Sequence, residues 1–163
     1  MKKGIFIFIL LQIVMCETYA LNIDDYIVES KKCNITFSVN DSKNEILDKL
    51  KGLNFKIERR KDSCINYVYE GIEISFLGEK VNSIDLITSE FSTKSNIHIG
   101  DKIKQVYQEY NLPDYQGKFD DGVLFVDYYA DLETNSPWKK PRYVMRIVYL
   151  KEIINEILFF YTE

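Results

Sequence analysis

One histidine, three prolines and three cysteines in 163 residues are the shortages that narrow this chain's chemistry. With His98 alone, no histidine cluster, Ser-His-Asp triad or His-rich metal site can be assembled. Basic residues number 21 against 25 acidic ones, for a net charge of -4, and they form no stripe of the kind that neutralises phosphates. Nucleic acid is therefore not an expected partner. No loop carries the oxygen spacing of a calcium site, so neither a metal nor a cofactor is expected. The adjacent acids Asp24-Asp25 and Asp120-Asp121 read as solvated turn residues, and carboxylate-based hydrolysis stays open only as a distant third class of function.

Long apolar runs are also missing. The one concentrated stretch, residues 4–15, follows Lys2 and Lys3 and is too short to cross a bilayer comfortably; Thr18-Tyr19-Ala20 then offers small residues at a cleavage position. Residues 1–20 are expected to be a signal peptide cut after Ala20, which makes the chain exported, to a periplasm or the outside. An uncleaved anchor and a lipid anchor on Cys16 are the competing readings, the latter disfavoured by Met15 before it. Cleavage would remove two lysines and one glutamate and take the net charge from -4 to -5. It would also leave two cysteines, Cys33 and Cys64. An even count in an exported chain suggests a disulfide, closing a loop of about thirty residues and stabilising by roughly 3 to 4 kcal/mol. Two buried thiols are the alternative.

What the chain has in quantity is aromatic surface. Twelve Tyr and ten Phe beside so few prolines predict a sheet-rich protein, because aromatics suit a pleated, half-buried surface. Residues 21–36 are polar and weakly patterned and read as a leading arm, with room for a helical turn. Phe37 and Val39 then alternate with polar neighbours before a helix begun at Asp41 or Ser42. There Ser42 and Glu45 fit a capping box, and Ile46, Leu47, Leu50 and Leu53 fall on one face. Strands are predicted at 55–59, 64–70, 72–77 and 81–88. In them Ile72, Ile74, Phe76, Ile84 and Leu86 should face the helix, and Glu73, Ser75, Leu77, Ser83 and Asp85 the solvent.

The same design returns after the linker at 90–95. Sixty positions apart, Phe37 matches Ile97, Val39 Ile99, Asp41 Asp101, Ile46 Val106, Leu47 Tyr107 and Leu50 Tyr110, with Asp101 expected to start the second helix. Strands should follow at 116–119, 122–130, 142–150 and 153–161. An offset of 73 then matches Ile74 to Ile147, Leu77 to Leu150, Glu79 to Glu152, Asn82 to Asn155 and Ile84 to Ile157. The extra residues sit in a long polar hairpin tip at 131–141, which carries Trp138. The expected architecture is α+β: two tandem helix-plus-four-strand repeats, 37–95 and 96–163, forming one curved antiparallel sheet in one domain with both helices packed on one face. Chance similarity between amphipathic segments is the competing explanation.

A capped helix leading into a meander, opened by Ile99-Gly100-Asp101 and present twice, resembles the architecture of the beta-lactamase-inhibitory proteins, and each half is similar to the SmpA/OmlA type of outer-membrane assembly lipoprotein. Residues 97–106 with Leu112-Pro113, and 39–46, carry the resemblance. It implies a binding protein with no catalytic residues, using the open face of the sheet or its loops.

The open face of the second repeat is unusually apolar. Where the first shows Ser75, Ser83 and Asp85, the second places Val148, Glu156 and Leu158, with Val144, Arg146 and Phe160 on the same side. A wet face of this composition wants a cover. One reading is a partner surface for a protein or envelope component, with Tyr129 and Trp138 as further anchors. The other is that the leading arm or the Trp138 loop covers it. A different function class, a small apolar ligand held in a cone between helix and curved sheet, is the alternative. His98 should sit on the solvent side of its strand.

Overall fold

The computed structural model describes residues 21, 25–53, 55–59, 65–69, 71–131 and 142–162. The architecture is α+β and mostly antiparallel. Eight strands form one sheet: β3 (Phe55–Arg59), β4 (Ile65–Tyr69), β5 (Ile72–Leu77), β6 (Lys80–Leu86), β8 (Tyr115–Lys118), β9 (Leu124–Asp131), β10 (Arg142–Leu150) and β11 (Ile153–Thr162). Their spatial order is β3-β4-β5-β6-β11-β10-β9-β8. Two meanders thus meet at the antiparallel pair β6 and β11, where Ile84 stands opposite Phe159 and Leu86 opposite Ile157.

Alternation decides which face is core. Ile72, Ile74 and Phe76, with Ile84 and Leu86, are all buried on one side, joined by Tyr143, Met145, Ile147, Ile157 and Phe159 from the other meander. Two short helices lie on that side. Helix α1 (Lys43–Lys49) buries Ile46, and Leu50 follows it into the core. Its capping box is present: the Glu45 N–H donates to Ser42 Oγ at 3.3 Å and the Ser42 N–H to Glu45 Oε2 at 2.8 Å. The Ser42 hydrogen bonds hold the Glu45 carboxyl below its usual range. Gly52, at φ +97°, ends the helix in a conformation other residues resist. Helix α2 (Ile103–Tyr110) buries Ile103, Val106 and Tyr110, and the Tyr110 hydroxyl donates to Thr93 Oγ1 at 2.7 Å.

The helix starts differ from expectation in one detail. The N-caps are Ser42 and Lys102, so Asp41 and Asp101 stand one residue too early to be caps. Each carboxylate instead closes the turn before the helix, accepting from the backbone N–H three residues earlier: Ser38 at 3.1 Å and His98 at 2.8 Å. Each aspartate N–H also donates back to the carbonyl of that same residue. Each helix is then tied to the tip of its hairpin, Lys43 N–H to Glu79 O at 3.1 Å and Ile103 N–H to Glu152 O at 2.9 Å.

The leading arm is not a loose polar tail. β1 (Ile27–Ser30) pairs antiparallel with β2 (Ile35–Ser38), and on its other side with β7 (Ser92–Thr93), inside the stretch whose composition predicts a linker. The cause is a short period-two pattern that polar neighbours disguised: Tyr26, Val28 and Ser30 are buried while Ile27 and Glu29 are half-buried. Tyr26 fastens this small sheet to the large one. Its ring meets Phe159 edge-on at 5.7 Å, and its hydroxyl reaches Tyr128 O at 2.7 Å and Tyr143 O at 3.3 Å. Burial pushes the Tyr26 phenol well above its ordinary range. The arm, both helices and the core therefore share one side of the large sheet.

Candidate binding face

On the opposite side, pairing registers place side chains in rows across the strands. Asp127 of β9 stands beside Arg146 of β10, which stands beside Leu158 and then Asp85. One step along, Tyr129, Val144, Phe160 and Ser83 form the next row. In the other direction lie Gly117, Phe125, Val148 and Glu156.

Arg146 is the centre of this face. Its Nε donates to Asp127 Oδ1 at 2.7 Å and its Nη2 to Oδ2 at 2.8 Å, a bidentate pair. The Asp127 side chain is 4 % exposed and that of Arg146 26 %. The guanidinium lies 4.2 Å from the centre of the Phe125 ring and 5.2 Å from that of Phe160, so a planar cation is held by aromatic faces as well as by its carboxylate. The hydrogen bonds to Asp127, outweighing partial burial, hold the Arg146 guanidinium above its already high range. Phe125 is packed further by Phe119 at 4.7 Å and Tyr115 at 5.9 Å. Gly117 makes this possible: a Cβ there would sit 2.3 Å from Phe125 Cζ.

The face is less open than its composition suggested. Val144 and Val148 are 3 % and 7 % exposed, whereas Tyr129, Arg146, Glu156, Leu158 and Phe160 are half-buried. Among the described elements none lies over it, since the arm packs on the helix side through Tyr26. Part of the seal comes from Arg146 and Phe160, whose long side chains lie across their neighbours. Trp138 and the rest of the 132–141 segment lie outside the described residues.

Beside Arg146 opens a cavity of about 190 Å³ lined by Asp127, Tyr129, Val144, Arg146, Phe160 and Thr162. Four of these, Tyr129, Val144, Arg146 and Phe160, are candidates named from the sequence. Leu158 stands beside Arg146 in the same row, and Glu156 and the buried Val148 stand on the same face one row away. Asp127, Thr162, Phe125, Tyr115 and Phe119 were not named. Asp127 was legible in principle: it stands two residues before Tyr129 on the same strand and so shares its face.

The other candidates are scattered. His98 is partly exposed, with Nδ1 3.6 Å from Asp101 Oδ2. Asp120 and Asp121 are exposed in the β8–β9 turn, where Asp121 accepts the Val123 N–H at 3.0 Å; Asp25 pairs with Lys94. No group of three or more metal-ligating side chains occurs among the described residues. Cys33 forms no disulfide with a described residue, and its sulfur lies 3.8 Å from the Tyr69 hydroxyl. Cys64, Cys16 and residues 1–20 lie outside the described residues, and no described helix is long and apolar enough to cross a membrane. Comparison with protein-family models, curated proteins and solved structures finds no match for this chain.

Proposed function

We propose that this chain is an exported, non-enzymatic binding module that recognises a protein or cell-envelope component through the outer face of β9, β10 and β11 and the 131–141 hairpin, in the manner of an inhibitor or an envelope-assembly factor. The observation that carries this is the cavity beside Arg146. Four residues chosen for an apolar, Arg-bearing face converge on it, and at about 190 Å³ it is smaller than the roughly 300 Å³ from which small-molecule pockets begin. Its size suits one anchoring side chain of a partner, with guanidinium and hydroxyl groups at the rim to orient it.

The alternative, an apolar ligand enclosed between helices and sheet, is not favoured. That interior is filled by Ile46, Leu50, Val106, Tyr110, Tyr128 and Phe159, none more than 5 % exposed. The reading of the chain as two copies of one unit is supported by the paired turns at Asp41 and Asp101 and by the matched ties to Glu79 and Glu152. It is supported further by register shifts at Ser75/Phe76 and Val148/Tyr149, again 73 positions apart.

The test is affinity capture from the chain's own envelope extract with wild type and with Leu158→Ser/Phe160→Ser. A component retained by wild type and lost by a double variant of unchanged melting temperature supports the reading. A variant that melts far lower, or no component specific to wild type, counts against it.

A further inference from the structure

Among the described strands the large sheet ends at β3 on one side and at β8 on the other. β8 reads Tyr115-Gln116-Gly117-Lys118. Around it cluster Leu112, Tyr115, Phe119 and Leu124, exposed by 83 %, 52 %, 39 % and 37 %.

The direction of its free backbone groups follows from register. The Phe119 N–H donates to Val123 O at 2.8 Å, and Gly117 and Tyr115 continue the same pairing with Phe125 and Asp127. Antiparallel alternation then turns the N–H and C=O of Gln116 and Lys118 away from the sheet. Asp114, just before the strand, is exposed; its N–H donates to Asp127 O at 3.0 Å and its Oδ2 accepts the Tyr129 N–H at 2.7 Å.

We propose that this edge binds a second copy of the same chain, the two β8 strands pairing antiparallel about a twofold axis at Gln116. The sequence is self-complementary in that register. Gln116 meets Gln116 and exchanges N–H and C=O with it. Asp114 and Lys118 lie at equal distances on either side of the axis, so each Lys118 stands opposite the other copy's Asp114, with its N–H toward that residue's carbonyl. Four main-chain hydrogen bonds and two opposite-charge pairs result. Tyr115 falls opposite the other copy's Gly117, and its ring there meets the Phe125 ring that Gly117 accommodates. The exposed aromatics of both copies become one cluster. A contact of this length belongs at the small end of specific interfaces, below about 1,200 Å², so the dimer is reversible.

Sedimentation velocity on the purified chain, as exported by its host, tests this over a concentration series up to about 500 µM, a range suited to a contact of that size. Wild type is expected to shift from monomer to dimer. Gln116→Pro removes an N–H that makes no bond to β9 and is expected to abolish the shift without changing the melting temperature. Lys118→Glu, at an exposed position, places like charges opposite Asp114 twice and is expected to weaken association about tenfold. It decides the matter if the proline variant does not fold. A wild type that stays monomeric across the range, or a dimer that Lys118→Glu leaves at full strength, overturns the proposal.

Discussion

Arg146→Met and Asp127→Asn break one ion pair from opposite sides, and they are expected to cost different amounts. The Asp127 side chain is 4 % exposed and the Arg146 side chain 26 %. Removing the guanidinium strands a carboxylate away from water, and losing one partner of a buried pair costs about 3 to 5 kcal/mol. Because the site opens onto a cavity that water can enter, the lower end applies, about 3 kcal/mol. At about 2 to 4 °C per kcal/mol for a chain of this size, that is a fall in melting temperature of roughly 6 to 12 °C. Removing the carboxylate leaves a guanidinium that can turn its free N–H groups to solvent, and Asn still offers one acceptor; about 1 kcal/mol is expected. Arg146→Met with Asp127→Leu replaces both charges by apolar bulk and should return to within about 1 kcal/mol of wild type. Urea denaturation of wild type and the three variants tests this ordering. If Asp127→Asn costs as much as Arg146→Met, or the double variant is as unstable as the worse single one, then the carboxylate is not the dehydrated partner and the account of this face is wrong.

Tyr26→Phe keeps the ring against Phe159 but deletes the hydroxyl bonds to β9 and β10, so about 1 to 2 kcal/mol should be lost, with hydrogen exchange rising first over residues 25–38. Gly117→Ala drives a methyl into the Phe125 ring and should destabilise by about 1 to 3 kcal/mol, accompanied by a changed near-ultraviolet spectrum. Burial raises the phenols of Tyr26, Tyr110 and Tyr143 above 10, so the stability they contribute is complete below pH 10 and is lost as pH rises through their folded values. Above about pH 10 each phenol that ionises only in the unfolded chain lowers stability by up to about 1.4 kcal/mol per pH unit, and absorbance at about 295 nm should report their ionisation together with unfolding. Independent, gradual titration of every tyrosine near pH 10 would contradict this. For the exported protein we propose the Cys33–Cys64 disulfide, which predicts no free thiol before reduction and two after it; two thiols without reductant would refute it.

Much of this fold was legible because it is written in local periodicity. Ile72-Glu-Ile-Ser-Phe-Leu alternates strictly enough to name both the strand and its buried face, and the capping box at Ser42 with apolar spacing behind it names a helix. The arm was not legible. Four residues of β1 become a strand because β2, across a short turn, and β7, from a distant part of the chain, both supply hydrogen bonds, and Tyr26 is buried only because Phe159 lies beneath it. The second face was half legible. Val144, Arg146 and Phe160 could be assigned to one side by counting in twos, but counting within a strand cannot say what stands beside them on the next.

Composition and spacing by themselves determined an α+β chain of short antiparallel strands with two short helices, the first of them capped by Ser42, without the histidines for common catalytic or metal chemistry. Tertiary structure alone decided that Arg146 spends its charge on Asp127 between two phenylalanine rings, that the resulting face is half-buried rather than bare, and that β8 ends the described sheet. The reason is range: helix caps and strand alternation are settled within a few residues, whereas pairing partners nineteen or more positions apart are chosen by the packing of the whole sheet.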